Sequence, residues 1–121
     1  MTKEEIETVI IRYTFIVDAI KNNKDQAVFY VGNRKFSVKI TDPVFTVCSI
    51  IRDVYSSSKD DWFKFMIDGI LSDKTDVSLI IHLPWQRNAY YKRKDIFFNT
   101  VLLCCAARNI FTYEEILAGV A

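Results

Sequence analysis

Little in this sequence breaks a chain. Two prolines and three glycines in 121 residues are too few for a loop-rich sandwich and point towards helices. With so few glycines there is no G-x-G-x-x-G or Walker pattern to cradle a phosphate. Histidine occurs once, at position 82. A catalytic histidine needs a positioned acid, base or nucleophile, and a metal site needs three or four ligands. No motif supplies either, so His82 reads as a turn residue or helix C-cap. The three cysteines, Cys48, Cys104 and Cys105, are odd in number and lack C-x-x-C spacing. They read as reduced, mostly buried thiols of a cytoplasmic protein. Adjacent helical residues point about 100° apart, so at most one of Cys104 and Cys105 can face a given site. The expectation is a protein that is not an enzyme, with no metal and no cofactor.

Long apolar runs are also missing. The longest, Ile96 to Ala107, has 12 residues and includes Asn99 and Thr100, short of the roughly 18–20 a membrane span needs. Glu4, Glu5 and Glu7 stand where a signal peptide would be basic, so none is expected. Charge of one sign is scarce as well: 16 basic and 15 acidic residues leave +1. That excludes a nucleic-acid binder driven by bulk charge, and any such binding must come from a local patch.

What is present is apolar and aromatic: 50% hydrophobic, with nine Phe, six Tyr and two Trp. This composition and length fit one globular domain. No internal repeat, low-complexity run or linker divides it. Ser56-Ser57-Ser58 is the most loop-like stretch and separates a part at 1–57 from a part at 60–121.

The spacing predicts a helix from Thr2 to Lys21. Thr2 and Glu5 form a capping-box pattern, and Ile6, Val9, Ile10, Tyr13, Ile16, Val17 and Ile20 line one stripe. That stripe packs internally or forms a homodimer face. Ala27 to Ile40 shifts to period two around Gly32-Asn33 and predicts a β-hairpin. Thr41-Asp42-Pro43 opens a helix at Val44 to Tyr55. Asp60 or Asp61 caps a helix at Trp62 to Leu71, and Thr75 or Asp76 caps a short one at Asp76 to Leu83. Pro84 interrupts, and a long helix is predicted from Trp85 to Asn109. Thr112-x-x-Glu115 predicts a last short helix to about Ala118. The expected class is mainly α (α+β): a helix and hairpin, then a helical bundle containing a helix-turn-helix.

The front of the long helix is the most informative stretch. Residues 85–94 hold Arg87, Lys92, Arg93 and Lys94 with no acid, a local +4. A helix N-terminus has free N–H groups and a positive dipole end, both suited to phosphate. Gln86, Arg87 and Asn88 lie in the first turn, where a recognition helix reaches base edges. Lys92, Arg93 and Lys94 lie about two turns in, placed to hold flanking phosphates. Past Asp95, Ile96, Phe97, Val101, Leu102, Cys104 and Cys105 should return to the core. Trp85 and Ala89 should face inward together, with Tyr90 rotated away.

Ser78-Leu79-Ile80-Ile81-His82-Leu83-Pro84, followed by Gln86-x-x-Ala89-Tyr90-Tyr91-Lys92-Arg93-Lys94-Asp95-Ile96, resembles the C-terminal helix-turn-helix of phage late-transcription activators of the ArpU/RinA type. That segment is itself similar to promoter-reading region 4 of sigma factors. The resemblance spans about residues 60–109. Ala89, Tyr90 and Lys92 to Lys94 occupy the family's pattern of a small residue, a tyrosine and a basic run. By resemblance, Gln86, Arg87 and Tyr90 would face DNA, with Asn88, Tyr91, Lys92, Arg93 and Lys94 completing the DNA-binding set. The implied function is a small phage or prophage transcription regulator that reads duplex DNA.

Two other readings stay open. The cluster is a solvated helix face, or the chain is a non-enzymatic module that binds and inhibits a host protein such as a toxin or transcription component. Near-neutral charge, aromatic richness and the hairpin favour the second.

Overall fold

The computed structural model describes residues 1–111, and among them the chain is mainly helical with one two-stranded antiparallel sheet. The elements run α1 (Lys3–Ile11), α2 (Tyr13–Lys21), β1 (Gln26–Val31), β2 (Arg34–Lys39), α3 (Asp42–Ser57), α4 (Asp61–Leu71), α5 (Asp76–His82) and α6 (Arg87–Ala107). This is the α+β class the composition implies. The capping box at Thr112 and the helix expected after it lie outside the described residues.

Most helix starts follow their caps. Thr2 and Glu5 bond reciprocally at the front of α1. The Asp60 carboxylate accepts from the Trp62 and Phe63 amides at 2.9 and 3.2 Å, and the Thr75 hydroxyl accepts from the Ser78 amide at 3.2 Å. The first helix differs from expectation, because it breaks at Arg12 (φ −103°, ψ 21°) into α1 and α2. Four consecutive β-branched residues, Thr8 to Ile11, precede the break and are stiff in a helix. The Thr8 hydroxyl also back-bonds to the Glu4 carbonyl at 2.8 Å, a contact that bends helices. The break lets Arg12 reach Asp73 at 3.6 Å and lie 4.6 Å from the centroid of the Phe29 ring. It thereby ties α2 to the hairpin and to the end of α4.

In the hairpin, Phe29 pairs with Phe36 and Val31 with Arg34, and Gly32 takes the left-handed conformation (φ 61°) that the two-residue turn requires. Ala27 and Phe29 turn inward onto α2, while Val28 and Tyr30 face out. The core is one cluster running through both parts of the chain, from Ile6 and Val9 through Val47, Ile51 and Met66 to Phe97, Val101 and Phe111. The serine stretch is therefore no seam. The apolar stripe of the first helix is spent inside the molecule, since Ile6, Val9, Ile10 and Ile16 are fully buried. Helix α1 packs on α3, α4 and α6, which fixes the base from which α6 presents its front end.

Candidate nucleic-acid interface

The expected site lies where α5 gives way to α6. Leu83-Pro84-Trp85-Gln86 forms the connection, so the long helix begins at Arg87, two residues later than expected. Leu83 is extended (φ −99°, ψ 150°), as a residue before proline must be. Leu83 is buried and anchors the turn, while Trp85 is half-buried against the core. His82 is the exposed last residue of α5.

Because Trp85 lies outside the helix, it does not mark the inward face of α6. Counted from Arg87, the inward stripe is Tyr90, Lys94, Phe97, Val101 and Cys105, spaced four, three, four and four. Tyr90 is therefore fully buried. This corrects its placement on a DNA-facing surface, which rested on the family resemblance and on Trp85 and Ala89 taking the inward face. Its hydroxyl donates to Asp76 Oδ1 at 2.6 Å. Lys94 shares that stripe and reaches back to the same carboxylate, Nζ lying 2.9 Å from Oδ1 and 3.2 Å from Oδ2. Partial burial works to raise the Asp76 pKa, but hydrogen bonds from Tyr90 and Lys94 and the lysine charge outweigh it, leaving the carboxyl below its ordinary value. Burial, then the bond and charge of Asp76, raise the Tyr90 phenol. Lys94 is thus a neutralised strut between α5 and α6, not an open phosphate contact.

The rest of the set divides by exposure. Gln86, Arg87, Asn88 and Lys92 are exposed, and Tyr91 and Arg93 are half-buried. Arg93 lies 4.4 Å from the Trp85 ring centroid and donates to the Ala89 carbonyl at 3.3 Å. Arg87 stands 5.9 Å from the Tyr91 ring centroid. Among the described residues, no carboxylate lies within ion-pair distance of Arg87, Lys92 or Arg93. Gln86 makes no side-chain cap, and the first turn of α6 holds no acid. The amides there stay open towards whatever approaches. Among the described residues, the front of α6 is thus a surface with three cations that no carboxylate neutralises, two of them exposed, and two exposed amide side chains, each kind suited to phosphate or base edges.

Elsewhere, Cys48 and Cys105 are buried and Cys104 is half-buried, all three as free thiols. Burial pushes the thiols of Cys48 and Cys105 up to about 11. No helix among the described residues is long and apolar enough to cross a membrane. Sequence reasoning placed Ile96 in the core, yet it is 50% exposed, as is Leu103 at 55%. Ile96 points about 100° away from its buried neighbour Phe97, which turns it out of the core. Comparison with protein-family models, curated proteins and solved structures yields no match.

Proposed function

We propose that the chain is a small cytoplasmic DNA-binding transcription regulator of phage or prophage origin, reading duplex DNA with the front of α6. The observation that carries this reading is the uncapped, acid-free start of α6, with Gln86, Arg87, Asn88 and Lys92 exposed on it. The resemblance of residues 78–96 to ArpU/RinA-type activators supports it, with Tyr90 and Lys94 reassigned to the frame that holds the helix. Gln86, Arg87 and Asn88 are the base-reading candidates, and Lys92 and Arg93 the phosphate holders. Tyr91 stands beside Arg87 and orients it.

The test is fluorescence anisotropy with a mixed-sequence duplex across a salt series. Binding should weaken as salt rises, and Arg87→Ala with Lys92→Ala should flatten the logarithmic slope by about 0.9 per lost phosphate contact. Affinity unchanged in that double variant would overturn the reading.

A second reading has its own observation. The hairpin exposes Tyr30 (67%) and Val31 (48%) beside Arg34, Lys35 and Lys39, and the sheet has only two strands. An open strand edge with aromatic anchors suits a protein partner that adds a strand. On that reading the chain binds and inhibits a host protein. Retention of a stoichiometric protein from nuclease-treated lysate at high salt, lost in Tyr30→Ser, would favour it over DNA.

A further inference from the structure

The rear half of α6 carries a feature the core does not use. From Ile96 to Ala107 the helix has no charged residue. Phe97, Val101, Leu102 and Cys105 are buried in the core. Ile96, Thr100, Leu103 and Ala107 form a different stripe, spaced four, three and four, the repeat of a seam between two helices. Ile96 and Leu103 are half or more exposed, Ala107 is exposed and Thr100 half-buried. The Thr100 hydroxyl donates to the Ile96 carbonyl at 2.7 Å, so covering it leaves that donor satisfied. Beside the stripe runs a groove of about 410 Å³ lined by Val54, Phe63, Ile96, Thr100 and Cys104. Asp53 and Arg108 also line it and pair with each other at 3.7 Å.

We propose that this face docks a second copy of the chain, α6 against α6 in antiparallel order about a two-fold axis. An uncharged stripe is compatible with its own image, because no like charges meet. The exposed apolar residues of the hairpin, by contrast, lie among Arg34, Lys35 and Lys39 and do not form an uncharged stripe. Antiparallel order is set by two further facts. It places Ile96 opposite Ala107 and Leu103 opposite Thr100, large against small, which interdigitates. It also separates the two cationic front ends, which parallel order would set side by side.

The pairing has a metric consequence that rests on the DNA reading above. The stripe is centred between Val101 and Leu102. The cationic segment 87–94 is centred about 11 residues earlier, so two copies place their front ends about 33 Å apart at 1.5 Å per residue. One turn of duplex separates successive half-sites by about 34–36 Å.

Light scattering on the full chain tests the interface. The wild-type protein should show twice the mass of the chain, and Leu103→Lys and, independently, Ala107→Lys should halve it with unchanged circular dichroism. Spin labels at Asn88→Cys, in a Cys104→Ser background, should lie about 40 Å apart by pulsed resonance, against less than about 20 Å for parallel order. A monomeric wild-type protein, a dimer indifferent to both lysines, or a short label distance would overturn the proposal. A dimer of the expected kind that binds no duplex leaves the proposal standing and removes the DNA reading. A monomer that binds duplex does the reverse.

Discussion

The front of α6 and the hairpin both combine cations with aromatic rings, and they are built differently. At the front of α6, the packed interior disciplines the side chains. Tyr90 is sunk into the core, Lys94 is bound to Asp76, and Arg93 is laid over Trp85. On the hairpin, Arg34 leans towards Phe36 at 5.9 Å, Phe36 stacks on Phe29 at 5.8 Å, and Tyr30 stands out in solvent. The first region spends part of its charge on rigidity and presents a smaller, fixed remainder. The second keeps its charge and is held against the body mainly through β1 and α2. A basic run in a sequence is therefore an upper bound on the charge a surface offers, and the shortfall measures how firmly the rest is held.

The sharpest way to break this contrast is to remove the anchor of α6. Phe97→Ala should cost about 3–5 kcal/mol by chemical denaturation, whereas Phe36→Ala, at a half-exposed site, should cost less than half as much. A hairpin substitution that cost as much as Phe97→Ala would show that both regions share one level of support. Next comes the strut. Asp76→Ala leaves the buried Tyr90 hydroxyl without its acceptor and should cost about 1–3 kcal/mol.

The strut also predicts a pH effect. The Asp76 carboxyl lies below its ordinary value when folded. Its stabilisation is complete above the ordinary aspartate value and is lost as pH falls through the depressed folded value. The acid limb of thermal stability should therefore flatten in Asp76→Asn, and an unaltered limb would remove the strut from the account. Smaller still is the division of labour among the lysines. Lys92→Ala should lower the salt dependence of duplex binding by about one unit and leave stability within about 0.5 kcal/mol. Lys94→Ala should lower stability and leave the salt dependence nearly unchanged. Tyr30→Ser should change stability least of all, within about 0.5 kcal/mol.

Elements that announce themselves through short-range chemistry were legible in the sequence. Thr2 with Glu5, Asp60 and Thr75 mark helix starts through bonds made within three residues, and Gly32-Asn33 marks the hairpin through backbone conformation alone. The front of the long helix was legible as a cluster, and four of its eight members are exposed. What was not legible depends on phase and on partners far along the chain. Pro84 fixed that a helix had to stop but not where the next one began, so Trp85 could not mark the inward face; Tyr90 lies inward with Phe97, and Ile96, next to Phe97, points about 100° away. The partner of Lys94 lies 18 residues away, beyond any periodicity. The break at Arg12 was hidden because the apolar stripe continues across it. In hindsight four successive β-branched residues were the available signal.

Gly69 links these observations. It is buried in α4, and a Cβ there would overlap the methyl groups of Leu79 on α5. The hydrogen at position 69 works as a spacer that sets how near α5 can lie. Because α5 begins with the carboxylate that grips Lys94, a methyl at residue 69, which displaces the Leu79 methyls, would load the helix that carries that grip. A substitution on α4, far from the basic run of α6, would then be read as a change in what the surface attracts.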